Sequence, residues 1–191
     1  MRNRVLLIVL LMTLGVVGIA AASQFRPLNL EQMTARAETV FSGRCIEVTV
    51  TDDPALGAVT LATFEVAQQV KGQASSRITV KMPGDPRAGQ DPGGIPGVPS
   101  FEVGEEVVLF LYGESASGAR SPVGLGQGKF QLILDKTGRR LAVNSTGNAS
   151  LFRDLSSAAQ QKTGVTQLEM VNDSAILEEA ALLNMVRALQ P

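Results

Sequence analysis

The 191-residue sequence contains no histidine and a single cysteine. The missing histidine removes the usual general base and the commonest metal ligand. No Ser-His-Asp or Cys-His arrangement can be built without it. One cysteine, Cys45, allows no intrachain disulfide. It lies in a β-rich stretch, where a lone thiol reads as a small buried apolar residue; the alternative is a reactive or intermolecular role. Charge is nearly balanced, with 17 basic against 18 acidic residues, so there is no basic footprint for nucleic acid or anionic lipid. Carboxylate pairs do occur. A solvated turn explains Asp52/Asp53, and loop solubility explains Asp85 with Asp91. EF-hand spacing is absent around Asp85 and Asp91. A hydrolase built on a carboxylate pair stays open as an alternative, but nothing selects the pair. The expectation is a non-enzyme with no cofactor and no metal.

The first 22 residues read as a leader. Arg2 and Arg4 precede the apolar run "VLLIVLLMTLGVVGIAAA", Val5–Ala22, and Ala20 and Ala22 form a small-x-small exit. This is the layout of a secretory signal peptide. A retained anchor is the alternative, since a run of about 18 apolar residues can just span a bilayer. Cleavage leaves residues 23–191, with 15 basic and 18 acidic residues, exported to the periplasm or the medium and without membrane contact. The alanine-rich, aromatic-poor composition fits a bacterial chain, so the sequons at Asn144, Asn148 and Asn172 carry little meaning.

The exported part opens on a helix. In "LNLEQMTARAE", Asn29 is the cap, Gln32 completes a capping box and Leu28 staples onto Met33. Leu30, Met33 and Ala37 share one face. Strands follow. In "TVFSGRCIEVTVTD" Phe41 and Cys45 have one parity and Ile46, Val48 and Val50 the other, so a bulge is expected near Gly43. "AVTLATFEVAQQVKG" switches in the same way, from Val59 and Leu61 to Phe64 and Val66. Two long strands that change face suit a small coiled barrel. "RITVKM" alternates with Ile78, Val80 and Met82 inward, and "EEVVLFLY" is apolar on both faces, as a strand covered on both sides should be.

Two stretches invite functional readings. "VGLGQGKF", residues 123–130, has the look of a phosphate loop. A Walker loop would need glycine at Val123 and Ser or Thr at Phe130. The dinucleotide pattern would need glycine at Lys129. "KFQLILD", "KTGR" and "RLAVN" then form a hairpin, with Phe130, Leu132 and Leu134 and then Leu141 and Val143 as its apolar positions. The glycines therefore read as a tight strand entry. The other stretch is "PGDPRAGQDPGGIPGVPS", residues 83–100, too rich in glycine and proline for regular structure. Long loops in compact domains are either functional or mere insertions. If this one touches a partner, Asp85, Arg87, Asp91, Ile95 and Val98 are the candidate contact residues.

Residues 144–173 are polar and weakly patterned, as in a linker. The C-terminal helix, 174–191, is "SAILEEAALLNMVRALQ", capped by Asp173 or Ser174. Its wide apolar stripe packs on its own domain or on a neighbour. The expected organisation is a leader at 1–22, an OB-like barrel at 23–143, a polar linker at 144–173 and this helix.

Three pieces carry a family resemblance: Ala37 to Ile46, Thr63 to Gly72 and Phe101 to Leu111. Together, over roughly residues 30–112, they resemble the barrel core of the tissue inhibitors of metalloproteinases and related netrin-like domains. The chain is also similar to exported bacterial proteins carrying "FEVGE-VVLFL" and "GLGQGKF". The resemblance implies a small OB-type barrel and a secreted protease as partner class. It does not bring the inhibitors' mechanism, in which an N-terminal cysteine grips the catalytic zinc. Here Cys45 lies within a strand, and the family's disulfides are missing. The expected function is a non-catalytic interaction module acting on a protein partner. The alternative is a structural envelope protein that docks a neighbour through its C-terminal helix.

Overall fold

The computed structural model describes residues 26–85, 97–166 and 177–190. The leader, Arg87, Asp91 and Ile95 of the long loop, Asn172, and the candidate caps Asp173 and Ser174 lie outside the described residues. Among the described residues no helix is long and apolar enough to cross a membrane.

Local chemistry builds the first element as expected. The Asn29 side chain accepts the Gln32 N–H at 2.9 Å, and the Gln32 side chain accepts the Asn29 N–H at 3.4 Å. This box satisfies two otherwise orphaned donors. Helix α1 (Leu30–Arg36) buries Leu30 and Met33 against Leu28 and Ala37.

Six strands follow: β1 (Thr39–Asp53), β2 (Gly57–Lys71), β3 (Arg77–Pro83), β4 (Glu106–Leu111), β5 (Lys129–Leu134) and β6 (Arg140–Asn144). They pair antiparallel in one sheet of order β3-β2-β1-β4-β5-β6. The bulge near Gly43 is present. The β1–β2 register shifts between Ser42 and Gly43 and again between Cys45 and Glu47. A Cβ on Gly43 would lie 2.5 Å from the Glu65 carbonyl oxygen, so the two backbones meet more closely than any side chain allows. The second shift puts Val48 on the same core as Phe41 and Cys45, although its parity differs.

The chain is mainly β with a helix toward each end, but the expected barrel is not closed. β3 and β6 stand at the two ends of the sheet. The segment after β4, "GESASGARSP", is too rich in glycine and serine to supply a bridging strand. It reaches β3 through a single backbone hydrogen bond, Arg120 N–H to the Lys81 carbonyl at 2.8 Å. The outer edge of β6 is covered differently: Ala142 donates to the Leu177 carbonyl at 2.8 Å.

β4 is apolar on both faces because each face meets a core. Val108 and Phe110 join Leu30, Met33, Phe130, Leu151 and Val186 on the helical side. Val107, Leu109 and Leu111 join Phe41, Phe64, Val80, Met82 and Phe101 on the other. Phe64 stands edge-on to both Phe41 and Phe101, with centroids 5.7 and 5.0 Å apart. In the β5–β6 hairpin, Phe130 and Ala142 enter the helical-side core, whereas Leu134 is 71% exposed. Leu141 and Val143 pair with Ile133 and Gln131 on the opposite face.

The span 144–173, expected as a polar linker, is part of the domain over its described residues. Leu151, Phe152, Leu155, Ala159 and Val165 are buried in the helical-side core, and Leu151 accepts the Leu30 N–H at 2.8 Å. The apolar residues of "LFRDL" are the signal that polar neighbours conceal. Helix α2 (Ser157–Thr163) is capped by Ser156 and ended by Gly164. Helix α3 (Glu179–Leu189) starts at Glu178 and buries Leu182, Leu183 and Val186 in the chain's own core.

Asp135 organises the hairpin turn. It accepts N–H bonds from Thr137 at 2.7 Å and Arg139 at 3.0 Å, accepts the Thr137 hydroxyl, and pairs with the Arg139 guanidinium at 2.8 Å. The Thr137 hydroxyl, followed by the Arg139 N–H, holds its carboxyl well below the usual range. A carboxylate depressed in the folded state stabilises above its unfolded pKa of about 4, and that contribution is lost as pH falls toward the folded value. Asp135→Asn should therefore lower the urea midpoint at neutral pH, and the deficit should shrink steadily below about pH 4. A deficit independent of pH would show that the ionised form does not matter.

Candidate functional site

Buried amides join three remote segments. Asn144 Oδ1 accepts the N–H groups of Thr146 at 3.1 Å and Asn148 at 2.8 Å, and the Thr146 hydroxyl at 2.8 Å. Asn144 Nδ2 donates to the Gln127 carbonyl at 3.1 Å. Asn148 returns the link, accepting the Asn144 N–H at 3.0 Å and donating to the Ala142 carbonyl at 2.8 Å. Gln127 Oε1 accepts the Leu28 N–H at 2.8 Å. The two asparagines are 7% and 2% exposed, so their sequons are closed to glycosylation once the chain has folded.

This network holds the "GLGQG" turn against the turn 144–150. The turn runs as a 3-10 helix, Leu125–Gly128, into β5, which is the strand entry expected from sequence. Between the two turns and the end of the long loop lies a cleft of about 460 Å³. Its walls include Pro27, Val98, Pro99, Leu125, Ala149 and Ser150. Ser100 and Gly126 continue it into a second cleft of about 370 Å³ over Gln131, Ile133 and Val143.

The backbone around this cleft is strained. Among the described residues four non-glycine residues have positive φ: Leu125 at 58°, Asn148 at 63°, Ser150 at 63° and Asp154 at 53°. Leu125 and Ser150 line the cleft, Asn148 holds its turn, and Asp154 lines the small adjoining hollow shared with Pro27 and Ser150. A left-handed conformation costs a residue such as leucine about 1–2 kcal/mol. Such residues persist where the surroundings over-determine them, and they concentrate at ligand clamps and functional sites.

Lys129 fixes the wall formed by residues 97–105. Its ammonium lies 2.6 Å from Glu105, donates to the Ser100 carbonyl at 2.6 Å and sits 4.7 Å from the centre of the Phe101 ring. Both members of the ion pair are at most 15% exposed. The lysine of the apparent phosphate motif is thus neutralised by a carboxylate. Cys45 is buried, and burial pushes its thiol above the ordinary range. It is the inert apolar residue expected from sequence.

Of the loop candidates, Val98 lines the cleft and packs on the second core. Asp85 stands half-buried just after β3, on none of the cleft's walls. Arg87, Asp91 and Ile95 are outside the described residues. Asp53 pairs with Lys81 and accepts the N–H groups of Ala55 and Leu56, which accounts for it as a turn residue. Among the described residues no three His, Cys, Asp or Glu side chains are grouped to hold a metal. Leu125, Ala149 and Ser150 went unnoticed in the sequence. "NSTGNAS" falls in the span expected as a polar linker, and nothing local to it shows that it meets "GLGQG".

Compared with protein-family models and with curated proteins, the chain matches none. The netrin-like resemblance accordingly stands on the motifs quoted above.

Proposed function

We propose that this protein is an exported, non-catalytic interaction module that holds a protein partner at the cleft between the 124–127 turn, the 144–150 turn and residues 97–100. The observation that carries this reading is the gathering of strained, non-glycine backbone around one cleft. Its apolar walls and exposed Ser100, Ser145 and Thr146 give the mixture of surfaces that recognition uses. The leader pattern at 1–22 supplies the export part of the reading, and a secreted protease is the partner class the netrin-like resemblance implies.

Ala149→Arg tests it by filling the cleft with a long charged side chain. In a crosslinked pull-down from the host's envelope and medium, the purified protein should enrich a discrete partner. The variant should lose at least about tenfold of that capture while keeping its melting temperature within a few degrees. Equal capture by both proteins would remove the cleft from the account.

A further inference from the structure

The open side of the sheet forms a separate cleft, of about 680 Å³, lined by Glu38, Thr39, Arg77, Thr79, Glu114 and Arg120 among others. It shares no lining residue with the apolar cleft. Arg120 is the anomaly in it. Arg44, Arg139 and Arg140 each meet a carboxylate at 2.8–2.9 Å with side chains 41–57% exposed. Arg120 is only 13% exposed, and Glu114, itself 63% exposed, comes no nearer than 3.9 Å. Its Nη2 donates to Thr39 Oγ1 at 2.9 Å and its Nε to the Tyr112 carbonyl at 3.4 Å. Neutral oxygens orient the guanidinium without balancing its charge. Arginine cannot shed that charge, and a buried charge without a close counter-charge is unfavourable.

The neighbouring strand edge offers backbone groups. The Lys81 carbonyl points away from β2, because it accepts the Arg120 N–H. Backbone direction repeats every two residues along a strand, so the N–H and C=O of Thr79 point the same way, toward the cleft. At Arg77, Ser75 Oγ occupies both groups, at 3.3 and 2.5 Å. Thr79 has no backbone partner on that side among the described residues.

We propose that this cleft binds the carboxyl-terminal end of an extended polypeptide. Its carboxylate pairs with Arg120, and its last peptide groups bond to the Thr79 edge. Glu38 and Glu114 on the same walls disfavour a dianion such as phosphate and favour one carboxylate flanked by N–H donors. Chain-end capture combined with strand addition is an established mode of peptide recognition.

The test titrates the purified protein with acetyl-trialanine acid, its C-terminal amide, acetyl-Ala-Asp-Ala amide and acetate, following backbone amide and arginine Nε–H resonances by NMR. The acid peptide should move Thr79 and Arg120 saturably, and the amide should bind at least about tenfold more weakly. Arg120→Lys, which keeps charge but loses the fork, and Thr79→Pro, which removes the outward N–H, should each weaken binding of the acid severalfold with the fold retained; Thr79→Val, which loses only the hydroxyl bonded to Thr63 at 3.0 Å and keeps the N–H, should bind the acid as the wild type does. Equal binding of acid and amide, or no shift at Thr79 and Arg120, overturns the proposal. Tighter binding of the aspartate peptide overturns the chain-end assignment in favour of an internal acidic segment. Acetate binding as tightly as the acid peptide overturns the strand pairing.

Discussion

Gly128→Ala is expected to destabilise the protein by about 3 kcal/mol or more. A Cβ at this position would lie 2.4 Å from the Val123 carbonyl oxygen, 2.7 Å from the Val123 nitrogen and 3.1 Å from the Phe110 carbonyl oxygen. All three are backbone atoms, and two of them form the Val123 N–H to Phe110 bond of 2.7 Å. No rotamer change can relieve the clash. Either that bond breaks or β5 leaves β4. Gly126 in the same motif is the internal control. A Cβ there meets Ser145 Oγ at 2.6 Å, a hydroxyl that can rotate away, and Ser145 Cβ at 3.0 Å, which a shift of a few tenths of an ångström in the exposed turn relieves, so Gly126→Ala should cost about 1 kcal/mol, well below the Gly128 loss. Urea midpoints at constant m-value measure both, and equal losses would refute the backbone-contact explanation. With total stabilities commonly about 5–15 kcal/mol, that loss removes from about a fifth to more than half of the total.

Asn144→Ala is expected to cost about 3–5 kcal/mol. It strands the N–H groups of Thr146 and Asn148 and the Gln127 carbonyl, and each buried unpaired group costs about 1–3 kcal/mol, less where water can reach it. Asn144→Asp keeps the acceptors but sets a buried carboxylate oxygen against the Gln127 carbonyl, so it should also destabilise at neutral pH and recover part of the loss in acid, where the protonated carboxyl can again donate to Gln127. Because Asn148 belongs to the same network, the double variant with Asn148→Ala should lose less than the two single losses combined. Simple additivity in chemical denaturation would show that the amides act independently.

The two substitutions act on the ends of the two turns that frame the cleft, and the sequence announced them unequally. The glycines of "GLGQGKF" could be separated from a phosphate loop by position alone, since Val123 and Phe130 break the motif. Nothing near Gly128 in the chain shows that it abuts Val123 and Phe110. Asn144 and Asn148 looked like sequons or linker residues, because their partners are defined only once Gln127 is brought beside them. The same reasoning explains the "LFRDL" segment. Its apolar residues were visible, but too few in a polar span to prescribe where they would dock.

Sequence alone determined what depends on near neighbours. The Asn29–Gln32 box, the shift at Gly43, the alternation of β3, the two-faced β4 and the hairpin around "KTGR" each follow from residues within a few positions of one another. Tertiary structure alone decided that the sheet stays open between β3 and the segment after β4, that residues 144–165 join the core, and that Leu125 and Arg120 are held in unfavourable environments beside clefts. These features depend on contacts across long stretches of chain, such as Leu28 with Gln127, 99 residues apart. Local propensity cannot specify such contacts, because their energies arise only when the packed segments exclude water from one another.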